Sequence, residues 1–111
     1  MRLSYITLGE EKRPVCFSLS AIEKIQEEFG GLDQMRDELV AGKIKSILQV
    51  IDIMLEAGEA YCRGMDLPCP PPLKCRPGDL IDVSDNEIVH EIFAAMSNDA
   101  KRTVETKDSK N

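Results

Sequence analysis

The residues best suited to chemistry in this sequence are its cysteines. Three of them, Cys62, Cys69 and Cys75, cluster around a proline-rich stretch with six and five residues between them. With Cys16 as a fourth ligand they would make a small zinc module, because Zn2+ takes four thiolate or imidazole donors at tetrahedral corners. Zinc sites usually set two ligands on one turn, as in C-x2-C, and no such pair occurs here. The competing reading makes Cys16 and Cys62 small core residues and Cys69 and Cys75 incidental. His90 is the one histidine. A nucleophilic dyad would need it beside Cys69 or Cys75, which requires the proline stretch to fold over the last helix. Its place between Val89 and Glu91 instead fits a solvated surface residue. Glu23, Glu27 and Glu28 are spaced as a charged outer face rather than as an acid–base pair. Gly30-Gly31 lacks the Lys-Ser or Lys-Thr that follows a phosphate-cradling loop. No base–nucleophile pair emerges, so neither enzyme activity nor a cofactor is expected. Pro70-Pro71-Pro72 suits either a proline-reading partner or a plain spacer.

The elements that would position these residues are legible in the hydrophobic pattern. Residues 3 to 8 are β-branched and aromatic, as in a strand. A polar turn at 9 to 13 and a second strand at 15 to 17 complete a hairpin. Pro14 can open that second strand only where its missing N–H faces an edge. A lone hairpin is marginal in water, so it must lie on helices or on another subunit. Ser20 and Glu23 fit a capping box for the first helix, with Ser18 as the alternative cap. Ile22, Ile25 and Phe29 give its stripe, and Gly30 stops it. A second helix spans about 32 to 41, with Leu32, Met35, Leu39 and Val40 inward. The third, about 43 to 63, carries two adjacent stripes. One is Ile44, Leu48, Ile51, Leu55, Gly58 and Cys62; the other is Ile47, Val50, Met54, Ala57 and Tyr61. Residues 66 to 83 form a stiff connector, and five of the six prolines fall between 66 and 79. A capping box at Ser84 to Glu87 opens a last helix over 84 to 97, with Ile88, Val89, Ile92, Phe93 and Met96 inward. Residues 98 to 111 read as a disordered polar tail.

The expected fold is therefore α+β and mostly α, an N-terminal β-hairpin packed on a small bundle of about four helices. Residues 1–65 hold the hairpin and a three-helix core. At 111 residues the chain has room for one domain, and 42% apolar with 31% charged residues is a globular balance. The net charge of -6 argues against nucleic acid, which demands clustered Lys and Arg. Here Lys43 and Lys45 follow Glu38, and Glu105 follows Lys101 and Arg102. The first residues lack a signal-peptide core, and charges interrupt the longest helix, so no membrane span is expected. A cytoplasmic setting with reduced thiols follows as the expectation.

The run Ile6-Thr7-Leu8-Gly9, a polar turn, Pro14-Val15-Cys16-Phe17, then Leu19, Ala21-Ile22, Ile25 and Phe29-Gly30, resembles the small tail assembly chaperones of long-tailed bacteriophages, prophages and gene-transfer agents. Leu55-Glu56-Ala57-Gly58 looks like the central helix of that family. The likeness covers about residues 5 to 62, and the cysteine-bearing proline connector departs from the pattern. The resemblance implies a helical chaperone, working in the bacterial host cytoplasm, that coats the hydrophobic tape-measure protein and recruits the tail-tube protein. It also implies a homo-oligomer, and a longer form made by frameshifting near the end of the gene.

The wide face of the third helix agrees with that expectation in physical terms. Two stripes exceed what one neighbour covers. If the first is core, the second is left for a partner, which makes Ile47, Val50, Met54 and Tyr61 the candidate partner-binding residues. Ala57, Gly58 and Ala60 would let another backbone come close. If the helix is central, both stripes are core. A phage structural subunit, such as a head–tail connector or tail-completion protein, and the zinc module remain as rival functions.

Overall fold

The computed structural model describes residues 3–82 and 87–108, with side-chain surroundings as far as Ser97. Alternation of Ile6 and Leu8 with Tyr5 and Thr7 gives strand β1 (Ser4–Leu8) one buried face. Strand β2 (Glu11–Val15) returns antiparallel, with Leu8 opposite Glu11 and Ser4 opposite Val15. Only Gly9 and Glu10 form the loop. Gly9 has φ 63°, the left-handed backbone that a type II′ turn requires at its first loop position. The second strand thus starts at Glu11 and not at 15, and the expected turn at 9 to 13 is corrected. The ladder is made by backbone groups, so Glu11, Lys12 and Arg13 pair despite their polar side chains.

Both edges of this hairpin are covered. Counting outward from the loop, Tyr5 and Pro14 form a non-hydrogen-bonded pair, so the missing N–H of Pro14 falls on the outer edge, as its chemistry demands. Helix α3 (Ile44–Gly64) lies against that edge. On the other edge, the outward N–H of Thr7 donates to Glu91 Oε2 at 2.8 Å, from helix α4 (Glu87–Asp108). Glu91→Ala leaves that part-buried donor unpaired. It is expected to lower stability by about 1–2 kcal/mol in urea unfolding; an unchanged midpoint would mean that water replaces the carboxylate at no cost.

Helix α1 (Leu19–Phe29) starts two residues earlier than the Ser20 box implies. Ser18 is the cap, its Oγ accepting from Ala21 N–H at 3.2 Å. With the helix set in this phase, Ala21, Ile25 and Phe29 are buried and Ile22 only partly so. Gly30, at φ 91°, closes the helix. Helix α2 (Leu32–Val40) buries Met35 and Leu39. Val40, expected inward, is 76% exposed, because it sits about 100° around the helix from Leu39 at the last position. Buried Ser46 donates its hydroxyl to Glu38, tying α2 to α3. In α4, Ile88, Ile92, Ala95 and Met96 reach the core, with Val89 and Phe93 packed against it.

The architecture is α+β and mostly α, with a two-stranded hairpin and four α-helices among the described residues. Of the capping box at Ser84 to Glu87, residues 84 to 86 lie outside the described residues. Helix α4 continues to Asp108, past the expected end at Ser97. No Gly or Pro interrupts 98 to 108, and Ala100, Lys101, Arg102, Glu105 and Lys107 are good helix formers, so polarity alone misled the reading of a disordered tail. Residues 109–111 of that tail lie outside the described residues.

Candidate functional site

Helix α3 is the structural centre. It touches α1, α2, β2 and the 3-10 turn at Pro77–Leu80. So many neighbours cover a face that one could not. Of the four candidate partner residues, Ile47, Val50 and Met54 are buried, the latter two completely. Tyr61 alone stays partly exposed. The assumption that left this stripe for a partner does not hold, because both stripes feed the core: Ile51, Gly58 and Cys62 of the first are buried as well. Ile44, expected in the core, is 60% exposed in the first turn, and Leu48 and Leu55 are half-buried. The close approach expected at the small residues of α3 does occur, but from within the chain. A Cβ on Gly58 would lie 2.2 Å from Pro14 O and 2.7 Å from Val15 Cα.

What α3 leaves open is a groove of about 290 Å3 beside the start of α1. Its apolar lining is Ala21, Ile53, Ala57, Ala60 and Tyr61. Ala57 and Ala60, one turn apart, are too small to fill it. Ser18 and Ser20 also line it, and Leu19 between them is 86% exposed. Lys24 and Glu56 pair across the lining at 2.9 Å. The hydrogen bond from Lys24 to Glu56, and then the carboxylate's charge, hold the ammonium above the usual lysine range. Sequence reasoning reached Ala57, Ala60 and Tyr61 but missed Leu19. The available signal was its place six residues before Ile25, about 240° around the helix and away from the buried stripe.

The proline connector forms a strap along α3. After α3, Asp66 takes a left-handed φ of 54° and the chain reverses. Leu67 N–H donates to Cys62 O at 2.8 Å. Arg13 Nη2 then donates to Pro71 O at 2.8 Å, and Gly78 sits against Leu48. On the strap, Arg76 lies within electrostatic reach of Asp52. Burial pushes the Asp52 carboxyl above the usual carboxylate range, and the Arg76 charge opposes that push. The strap, α3 and β2 enclose a second cavity of about 350 Å3, into which Arg13, Leu55, Cys69 and Cys75 look.

All four cysteines are free thiols, Cys16 and Cys62 buried and Cys69 and Cys75 exposed. Among the described residues no three of His, Cys, Asp and Glu are placed to hold a metal ion, so the four thiols do not assemble a zinc shell. His90 is exposed on α4. A dyad required the connector to fold over α4, and it folds over α3. Among the described residues no helix is long and apolar enough to cross a membrane. No protein-family model, curated protein or solved structure matches the chain.

Proposed function

We propose that this protein is a tail assembly chaperone of a phage or prophage, and that the groove between α1 and α3 receives amphipathic helices of the tape-measure protein. The observation that carries the reading is the groove itself. It is apolar, open, floored by alanines, and flanked by Leu19, the most exposed of the large apolar side chains among the described residues. An amphipathic helix laid into such a groove buries its apolar stripe against Ala57, Ala60 and Tyr61 while its polar face stays in water. Each Leu or Ile so covered contributes roughly 1.5–3 kcal/mol. Many copies, each binding weakly, would keep a long partner soluble and still be shed as the tail-tube protein assembles. The order of residues over 5 to 62, which resembles the chaperone family, supports the same reading. The net charge of -6 suits a partner whose flanks are basic.

The test is co-expression with the tape-measure protein of the same genome, followed by sizing and mass analysis of the soluble fraction. A soluble complex with several copies of this chain per tape measure is expected. Ala60→Asp, at an exposed position, should keep the melting temperature and abolish that complex. If the tape measure stays insoluble and this chain elutes alone, the chaperone reading fails. Copies of the chain in finished particles would make it a structural subunit instead.

A further inference from the structure

The strap brings together two thiols that the groove does not use. Cys62 lies in the last turns of α3 and is 1% exposed. The reversal at Asp66 sends the chain back along the helix, and Cys69 Sγ comes to 3.9 Å from the Glu59 carbonyl oxygen. Glu59 is three residues, less than one turn, before Cys62. Helical side chains lean toward the helix N-terminus, which turns the Cys62 thiol toward the place where Cys69 rests. Cys69 is thereby placed close enough to the Cys62 thiol to act on it directly. The pair is asymmetric, since Cys69 is open to solvent and Cys62 is enclosed.

We propose that Cys62 and Cys69 are a redox-responsive dithiol that a peroxide closes into a disulfide, clasping the proline strap to the end of α3. The exposed Cys69 thiolate attacks one oxygen of hydrogen peroxide. The O–O bond breaks, a sulfenic acid forms on Cys69, and water leaves after protonation. The Cys62 sulfur then attacks the Cys69 sulfur, the S–O bond breaks, and a second water carries away the hydroxyl and the Cys62 proton. Two thiols have lost two electrons and two protons, and one peroxide has become two waters. Burial first, and the Cys69 hydrogen bond second, push the Cys62 thiol above the usual cysteine range. Cys62 is therefore the resolving partner and Cys69 the sensing one. Cys16 also lies near Cys62, but both are buried away from oxidant. Cys75 shares the cavity with Cys69 and is the competing exposed thiol. The clasp would fix the strap over that cavity, adding a covalent anchor to the Arg13–Pro71 hydrogen bond.

The experiment treats the reduced full-length protein with a small excess of hydrogen peroxide, traps remaining thiols by alkylation, and maps the peptides by mass. Free thiols should fall from four to two, with one Cys62–Cys69 bridge. The melting temperature should rise by about 5–10 °C, as a short closed loop predicts, and fall back on reduction. Cys75→Ser should still form the bridge, and Cys69→Ser should lose both the bridge and the shift. Overoxidised Cys69 with Cys62 still free would overturn the proposal. So would a Cys69–Cys75 bridge, a Cys16–Cys62 bridge, or disulfide-linked dimers.

Discussion

Gly58→Ala is expected to destabilise the protein by about 2–3 kcal/mol, although the same change in a free helix stabilises by about 1 kcal/mol. The added methyl would sit 2.2 Å from Pro14 O, 2.6 Å from Pro14 C and 2.7 Å from Val15 Cα. All three are backbone atoms of β2, which cannot swing aside as a side chain would. Either the hairpin moves off α3 or the helix moves off the hairpin, and both loosen the Val15 contact with the core. The melting temperature should fall by on the order of 10 °C. Gly64→Ala is the matched control. It lies in the same helix with nothing within 4 Å of its Cβ position, so it should be neutral or slightly stabilising. If the two variants behave alike in thermal and urea unfolding, the packing of β2 on α3 is wrong.

Met54→Asp is expected to unfold the chain. Met54 is fully buried within the core cluster, and truncating such a residue to alanine already costs about 2–5 kcal/mol. A carboxylate there is left without a partner, and it must either remain charged at further cost or take up a proton. Against a typical stability of about 5–15 kcal/mol, that combined loss leaves little folded protein. Tyr61→Ala separates the two roles that the sequence assigned to one stripe. It removes a partly exposed ring from the groove, so the fold should survive while tape-measure binding weakens several-fold. Circular dichroism and urea midpoints read the first effect, and pull-down from co-expressed cells reads the second. A folded Met54→Asp protein with a native midpoint would restore the reading of Ile47, Val50 and Met54 as an outward contact stripe.

The reversal at that stripe shows where sequence reasoning stops. Periodicity places Ile47, Val50 and Met54 about 100° from Ile44, Leu48 and Ile51, and says nothing about how many neighbours the helix has. Three elements and the strap pack on α3, so both stripes supply buried core residues. Exposure is then decided by position along the helix, with Ile44 open at its start and Tyr61 half open near its end. The strap is a similar case. Its prolines announce a stiff connector, but the left-handed Asp66 that turns it back over α3 has no signature in composition. After that turn, Cys69 lies against α3 at the Glu59 carbonyl.

By itself, then, the sequence determined the α+β class, the hairpin-then-helices order and the stop at Gly30. These rest on local chemistry: alternation, capping groups, glycine's left-handed freedom and residue type. The tertiary structure alone decided which edge of the hairpin each helix covers, which face of α3 is core, and where the groove lies. Those follow from packing between residues far apart in the chain, where Gly58 admits Pro14 and Glu91 answers Thr7. No local pattern encodes such distances, because they are fixed only when all the elements close on one another at once.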